Sequence, residues 1–180
     1  MAEFMKQRYE NKLKEAVERL ASLPALLVHH GEYCNLLVEA RDLYVHEYYY
    51  SCIAMCGIVA ERIAKDLFTR NILIIKENKA VFPPENAKRD LESFGAREIC
   101  TFLINAGILN DTLKTSFKEL GELRNKYAHA GGKEPQKDAV KAIKYLHAIV
   151  EGTVSIFKDF EIHEGKLVRK REKRNANVQE

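Results

Sequence analysis

The run NLLVEARDLYVHEYYYSCIAMCGIVAERIAKDLFTR, residues 35 to 70, holds no proline and is apolar on most faces in its second half. A helix that is apolar all round has to be enclosed by others, so this segment is expected to be the central buried helix, or two in succession. The rest of the chain must then supply amphipathic partners. It does: EPQKDAVKAIKYLHAIVEGTVSIFKDF (134–160) carries Val140, Ile143, Leu146, Val150, Val154 and Phe157 at steps of three and four, the spacing of a core-facing stripe.

Shorter helices fill the remainder. Glu3 to about Ala21 reads as a solvent-facing helix with a narrow stripe of Phe4, Leu13, Val17 and Leu20, after which Pro24 and Gly31 break the chain. KENKAVFPPENAKRD reads as a polar loop ending at Pro83 and Pro84, with Pro84 opening a short helix to about Phe94. Gly95 interrupts it, and AREICTFLINAG continues to Gly107. Asn110 or Asp111 caps TLKTSFKELGELRNKYAHA, which Gly131 and Gly132 close. The expected fold is an all-α bundle of four to five helices. FEIHEGKLVRK alternates about a Glu-Gly pair and reads as a small C-terminal β-hairpin. These elements make one domain over 1–165, with its core at about 35–160, and leave 166–180 as a basic tail expected to be disordered.

Charge and cysteine use narrow the function classes. The net charge of +3 is concentrated in KLVRKREKR (166–174), so the body is near neutral. No amino-terminal segment has the order of a signal peptide, and the longest apolar run, SCIAMCGIVA, is about half a membrane span. The expectation is a cytoplasmic protein. Cys34, Cys52, Cys56 and Cys100 form no CxxC pair, and Cys52 and Cys56 lie at i,i+4 in an apolar helix, so buried reduced thiols are expected rather than zinc or disulfides. There is no glycine-rich phosphate loop, no His-Glu-x-x-His and no acidic cluster for two metals, so no cofactor is expected. SIFK (155–158) fits S-x-x-K by chance, since its companion motifs are missing.

The chemistry concentrates in GELRNKYAHAGG (121–132). At about 100° per residue, Leu113, Phe117, Leu120, Leu123 and Tyr127 share one stripe, with Arg124 in its middle and Asn125 and His129 on another face. A guanidinium cannot shed its charge, so Arg124 needs a carboxylate, a partner chain or an anionic ligand. Glu61, the carboxylate within the apolar central run, is the first internal candidate; Glu47 is the second. His129 stands in the last turn, among carbonyls with no helical partner.

The segment RNKYAH resembles the motif of the HEPN superfamily (higher eukaryotes and prokaryotes nucleotide-binding), in which an arginine is followed after four to six residues by a histidine late in a helix. The residue after the arginine, there commonly Asn, Asp or His, is here Asn125. The Tyr-rich helix running into GIVAERIAKDLF, followed by the helix ending in LRNKYAHAGG, is similar in order across about 35–160. The resemblance implies a helical bundle that dimerises with two motifs facing one another, often as a metal-independent endoribonuclease. It assigns Arg124 and His129 as catalytic and Asn125 as supporting, and Glu61, the candidate partner of Arg124 by charge, joins them as a supporting residue. Lys126 and the tail cations Arg169, Lys170 and Arg171 are candidate RNA contacts. A homodimer acting on RNA as a toxin or defence effector, alongside an antitoxin or nucleotidyltransferase partner, is one expectation. The other is a non-catalytic HEPN-fold adaptor that binds nucleotide, nucleic acid or a partner protein.

The remaining aromatic and imidazole groups read as structural. The tyrosines of YVHEYYY (44–50) are expected to pack the core or a dimer seam more than to stack on bases, and His46 to be a satisfied core histidine. His29 and His30 read as loop residues, and His147 and His163 as surface positions.

Overall fold

A computed structural model describes residues 2–24, 31–154, 160–163 and 166–169. Helix α1 (Ala2–Ala21) leads into the apolar run, which is two helices, α2 (Gly31–Val45) and α3 (Tyr49–Asn71). The break between them has a specific cause. Tyr48 N–H donates back to Leu43 O at 2.8 Å and Glu47 N–H to Tyr44 O at 3.0 Å, the paired bonds of a Schellman stop, with Glu47 at φ 68°.

α3 is the axis. It packs against α2, against α5 (Ala96–Asn105), against α6 (Asp111–Ala128) and against α7 (Pro135–Thr153). Ile53 and Ile63 of α3, Leu103 of α5, Leu120 of α6 and Ile149 and Val150 of α7 are fully buried between them. Thus the core holds the expected four to five helices. Two more, α1 and α4 (Glu85–Glu92), lie outside it, against α2 and α3 respectively.

Local chemistry sets the ends of these helices. Asn110 caps α6 by accepting from Leu113 N–H at 2.9 Å, Pro135 supplies the first turn of α7, and Gly107 at φ 70° ends α5. Phe4, Leu13, Val17 and Leu20 on α1 are exposed, as its charge density implies. On α7, Ile143, Leu146 and Val150 are buried and Val140 and Val154 pack beside them, while Phe157 lies outside the described residues.

The stretch read as a polar loop contains a hairpin instead, β1 (Ile74–Lys76) with β2 (Lys79–Val81). Its turn residues Glu77 and Asn78 sit at φ 52° and 62°, the two positive angles of a type I′ turn. The C-terminal hairpin forms as expected: β3 (Phe160–His163) pairs antiparallel with β4 (Lys166–Arg169). Because β4 is paired, ordered structure extends past the boundary placed at residue 165; the rest of the tail, 170–180, lies outside the described residues.

Candidate functional site

Arg124 leaves the core stripe of α6 by crossing α3 at its one glycine. A Cβ on Gly57 would lie 2.7 Å from Arg124 Cδ and 3.0 Å from its Cβ and Cγ, so the aliphatic stem rests on the α3 backbone and the charged head emerges beyond it. One turn along α3, Glu61 Oε2 accepts from Arg124 Nη1 at 2.8 Å. Glu47, the second candidate for this role, pairs instead with Arg19 at 3.1 Å.

The pair is anchored on one side and open on the other. Glu61 Oε1 also meets Lys65 Nζ at 3.0 Å. Burial pushes the Glu61 carboxyl up, but Lys65 and Arg124 outweigh it and hold it below the usual carboxylate range. The Arg124 side chain keeps 41% of its exposure. It is therefore a half-exposed cation with an internal counter-charge, and its other N–H groups remain to meet a ligand. The sequence signal that was missed is Gly57, placed one turn before the carboxylate.

Glu61, Arg124 and Asn125 share the wall of a cleft of about 610 Å³ between α3, α5 and α6. Lys114, Lys118 and Arg97 add cations to that wall, and Glu98 and Glu122 offset part of their charge. His129 is not on it. The histidine is the exposed C-cap of α6, its own N–H donating to Asn125 O at 3.2 Å. Among the described residues no hydrogen bond or ion pair holds the imidazole. One chain thus brings together three of the four residues singled out for catalysis and support, and presents the fourth at the helix end.

That helix end is braced from below. Asp138, in the first turn of α7 and only 3% exposed, accepts from Tyr127 OH at 2.8 Å and Lys126 Nζ at 2.9 Å through Oδ2, and meets Lys141 Nζ at 3.1 Å through Oδ1. Burial pushes its carboxyl up, yet the bonds from Lys126, Tyr127 and Lys141 prevail and hold it at about 2. Burial and then Asp138 raise the Tyr127 phenol to about 12. A Cβ on Gly132 would fall 2.0 Å from Tyr127 Cε1, so the ring lies against backbone that only glycine leaves bare. Lys126, a candidate RNA contact, is therefore already engaged. Asp138 was not singled out in the sequence, where it reads as one more charge in a helix start.

The turn after His129 is a Schellman stop: Gly131 N–H donates to Lys126 O at 2.9 Å and Ala130 N–H to Tyr127 O at 3.2 Å. Ala130, not a glycine, takes the left-handed position at φ 55°. Ala130→Gly is accordingly expected to raise stability by about 1 kcal/mol, read as a higher urea midpoint at unchanged slope.

Other candidates fall in place or outside the described residues. Arg169 closes β4, and Lys170, Arg171, His29 and His30 lie outside the described residues. Cys52 and Cys56 are buried free thiols, and burial raises the half-buried Cys100 to about 11. Of the tyrosines in YVHEYYY, Tyr44 is buried and Tyr49 packs beside it, but Tyr48 and Tyr50 are exposed; His46 is exposed rather than buried in the core, and His147 is half-buried. Among the described residues no group of three or more His, Cys, Asp and Glu could hold a metal, and no helix is long and apolar enough to cross a membrane. The model of one protein family, described as a domain of unknown function, matches residues 38–177. No curated protein and no solved structure matches the chain.

Proposed function

The chain belongs to that family, DUF4145, which brings no activity with it, and from the site we propose that the protein is a HEPN-type, metal-independent endoribonuclease acting as a cytoplasmic homodimer. The observation that carries this reading is the end of α6. A half-exposed Arg124, steadied by Glu61, and an unencumbered His129 lie five residues apart on one helix.

Cleavage by the RNA's own 2′-hydroxyl needs three things: a base for that proton, an acid for the departing 5′-oxygen, and a cation for the charge growing on the phosphoryl oxygens. The 2′-oxygen bonds to phosphorus, the P–O5′ bond breaks, and a 2′,3′-cyclic phosphate is left. A two-fold dimer that faces one α6 end with another supplies two His129 imidazoles as base and acid and two Arg124 guanidiniums as the clamp. Asn125, one turn from His129, orients phosphate or imidazole. In the cell such an enzyme is a toxin or defence effector, restrained by an antitoxin or a nucleotidyltransferase partner.

A second reading has its own support. Glu61 already gives Arg124 a counter-charge, and His129 stands off the cleft wall, which suits a non-catalytic adaptor that binds nucleotide, nucleic acid or a partner protein. Mixed cellular RNA incubated with the purified protein in EDTA separates the two. New 5′-hydroxyl ends opposite 2′,3′-cyclic phosphates are expected; RNA that stays intact at every protein concentration favours the adaptor.

A further inference from the structure

The exposed Tyr50 beside the motif has no role in the catalytic reading above. Tyr50, in the first turn of α3, keeps 50% of its surface exposed. Its ring meets that of Tyr127 almost at right angles, with centroids 5.0 Å apart and planes at 80°. Tyr127 cannot yield, because its hydroxyl is tied to Asp138 and its ring lies on the Gly132 backbone. Tyr50 is therefore seated on a fixed support two residues before His129, with one part of its ring covered and the rest open to solvent.

Charge beside the supporting Tyr127 ring has a definite sign. Lys126 and Lys141 share the single carboxylate of Asp138, and the neighbouring Glu134 is paired with Lys137, so three cations face two carboxylates; Lys126 Nζ stands 5.5 Å from the centroid of Tyr127, the ring on which Tyr50 rests. A half-exposed aromatic ring one ring away from surplus positive charge is a pairing that binds unpaired nucleotides, since the base stacks and the phosphate is drawn to the cation. In a duplex the bases already stack on one another and cannot reach such a face.

We propose that Tyr50, seated on Tyr127 beside the Lys126–Asp138–Lys141 cluster, is a stacking platform that holds one unpaired base of a bound RNA strand. The proposal rests on the ribonuclease reading for its choice of RNA, and Tyr50 is a specificity-determining residue rather than a catalytic one.

The test uses the full chain carrying His129→Ala, so that the probe is not consumed. A short labelled oligoribonucleotide of mixed sequence, single-stranded or annealed to its complement, is titrated while its fluorescence anisotropy is read. Adding Tyr50→Ala is expected to weaken single-strand binding by roughly 5- to 100-fold, and Tyr50→Phe to leave it within about twofold. Tyr50→Leu, which keeps bulk against Tyr127 without an aromatic face, should reproduce the loss and guards against a fault in folding. Unchanged binding in Tyr50→Ala, no binding of single strands at all, or equally tight binding of the duplex overturns the platform. The two readings fail separately. Tyr50-dependent binding by a protein that cleaves nothing removes the ribonuclease alone; cleavage with binding indifferent to Tyr50 removes the platform alone.

Discussion

Alanine at His129 is expected to slow RNA cleavage in EDTA by about 10²- to 10⁴-fold and to move the melting temperature by less than about 2 °C. The contrast follows from where the imidazole stands. It is an exposed helix cap whose structural contribution is made by its backbone N–H, and alanine keeps that bond. Arg124→Ala should behave differently, losing activity and about 0.5–1 kcal/mol of stability together, because Glu61 then keeps only Lys65 as a partner. Thermal melts and cleavage rates measured side by side check both. A His129→Ala protein that cleaves at the parent rate takes the histidine out of the mechanism.

Asp138→Ala is expected to cost about 2–4 kcal/mol, a fall in melting temperature of roughly 5–15 °C. Most of that arises at Tyr127, whose buried hydroxyl is left without its acceptor, whereas Lys126 and Lys141 turn to water. The difference should also depend on pH. The Asp138 pKa is lowered in the folded chain, from 3.8 to about 2. Its contribution is thus complete above about pH 4 and is lost as pH falls through 2, an amount of about 2 kcal/mol. Urea melts of the parent and Asp138→Ala proteins between pH 5 and 2 should therefore converge toward the acid end. Parallel curves would mean that the carboxylate's charge contributes nothing.

What could be read from the residues followed the rules of side-chain chemistry; what could not followed the backbone. Stripes on α6 and α7, the Asn110 cap and the Glu61 partner of Arg124 were all legible, because periodicity and charge pairing state them directly. The division of the central run into α2 and α3 was not, since the stop is made by Glu47 in a conformation usually marked by glycine. The β1–β2 hairpin was hidden for the same reason, with Glu77 and Asn78 where Asn-Gly would have announced a turn. At the site, Arg124 read as buried because its angle on the helix lies within the core stripe. The angle was right, but Gly57 lets the long side chain slide across α3 to the surface. The buried Asp138 escaped notice because two of its three partners, Lys126 and Tyr127, lie on another helix, and a sequence does not show which charges will meet.

The attachment of α1 has a consequence for the order in which the molecule opens. Among the described residues α1 packs against α2 and no other element, and its strongest polar tie is Arg19, whose Nε donates to Val45 O at 2.8 Å while its Nη1 meets Glu47 at 3.1 Å. Arg19 thereby supplies the positive charge that the end of α2 and the strained Glu47 both call for. The first helix is thus a detachable brace on the one unfavourable turn in the central run. Its amides should exchange with solvent in a separate, low-energy opening, and the same event should loosen the α2–α3 corner while the α3 amides stay protected until the whole bundle unfolds.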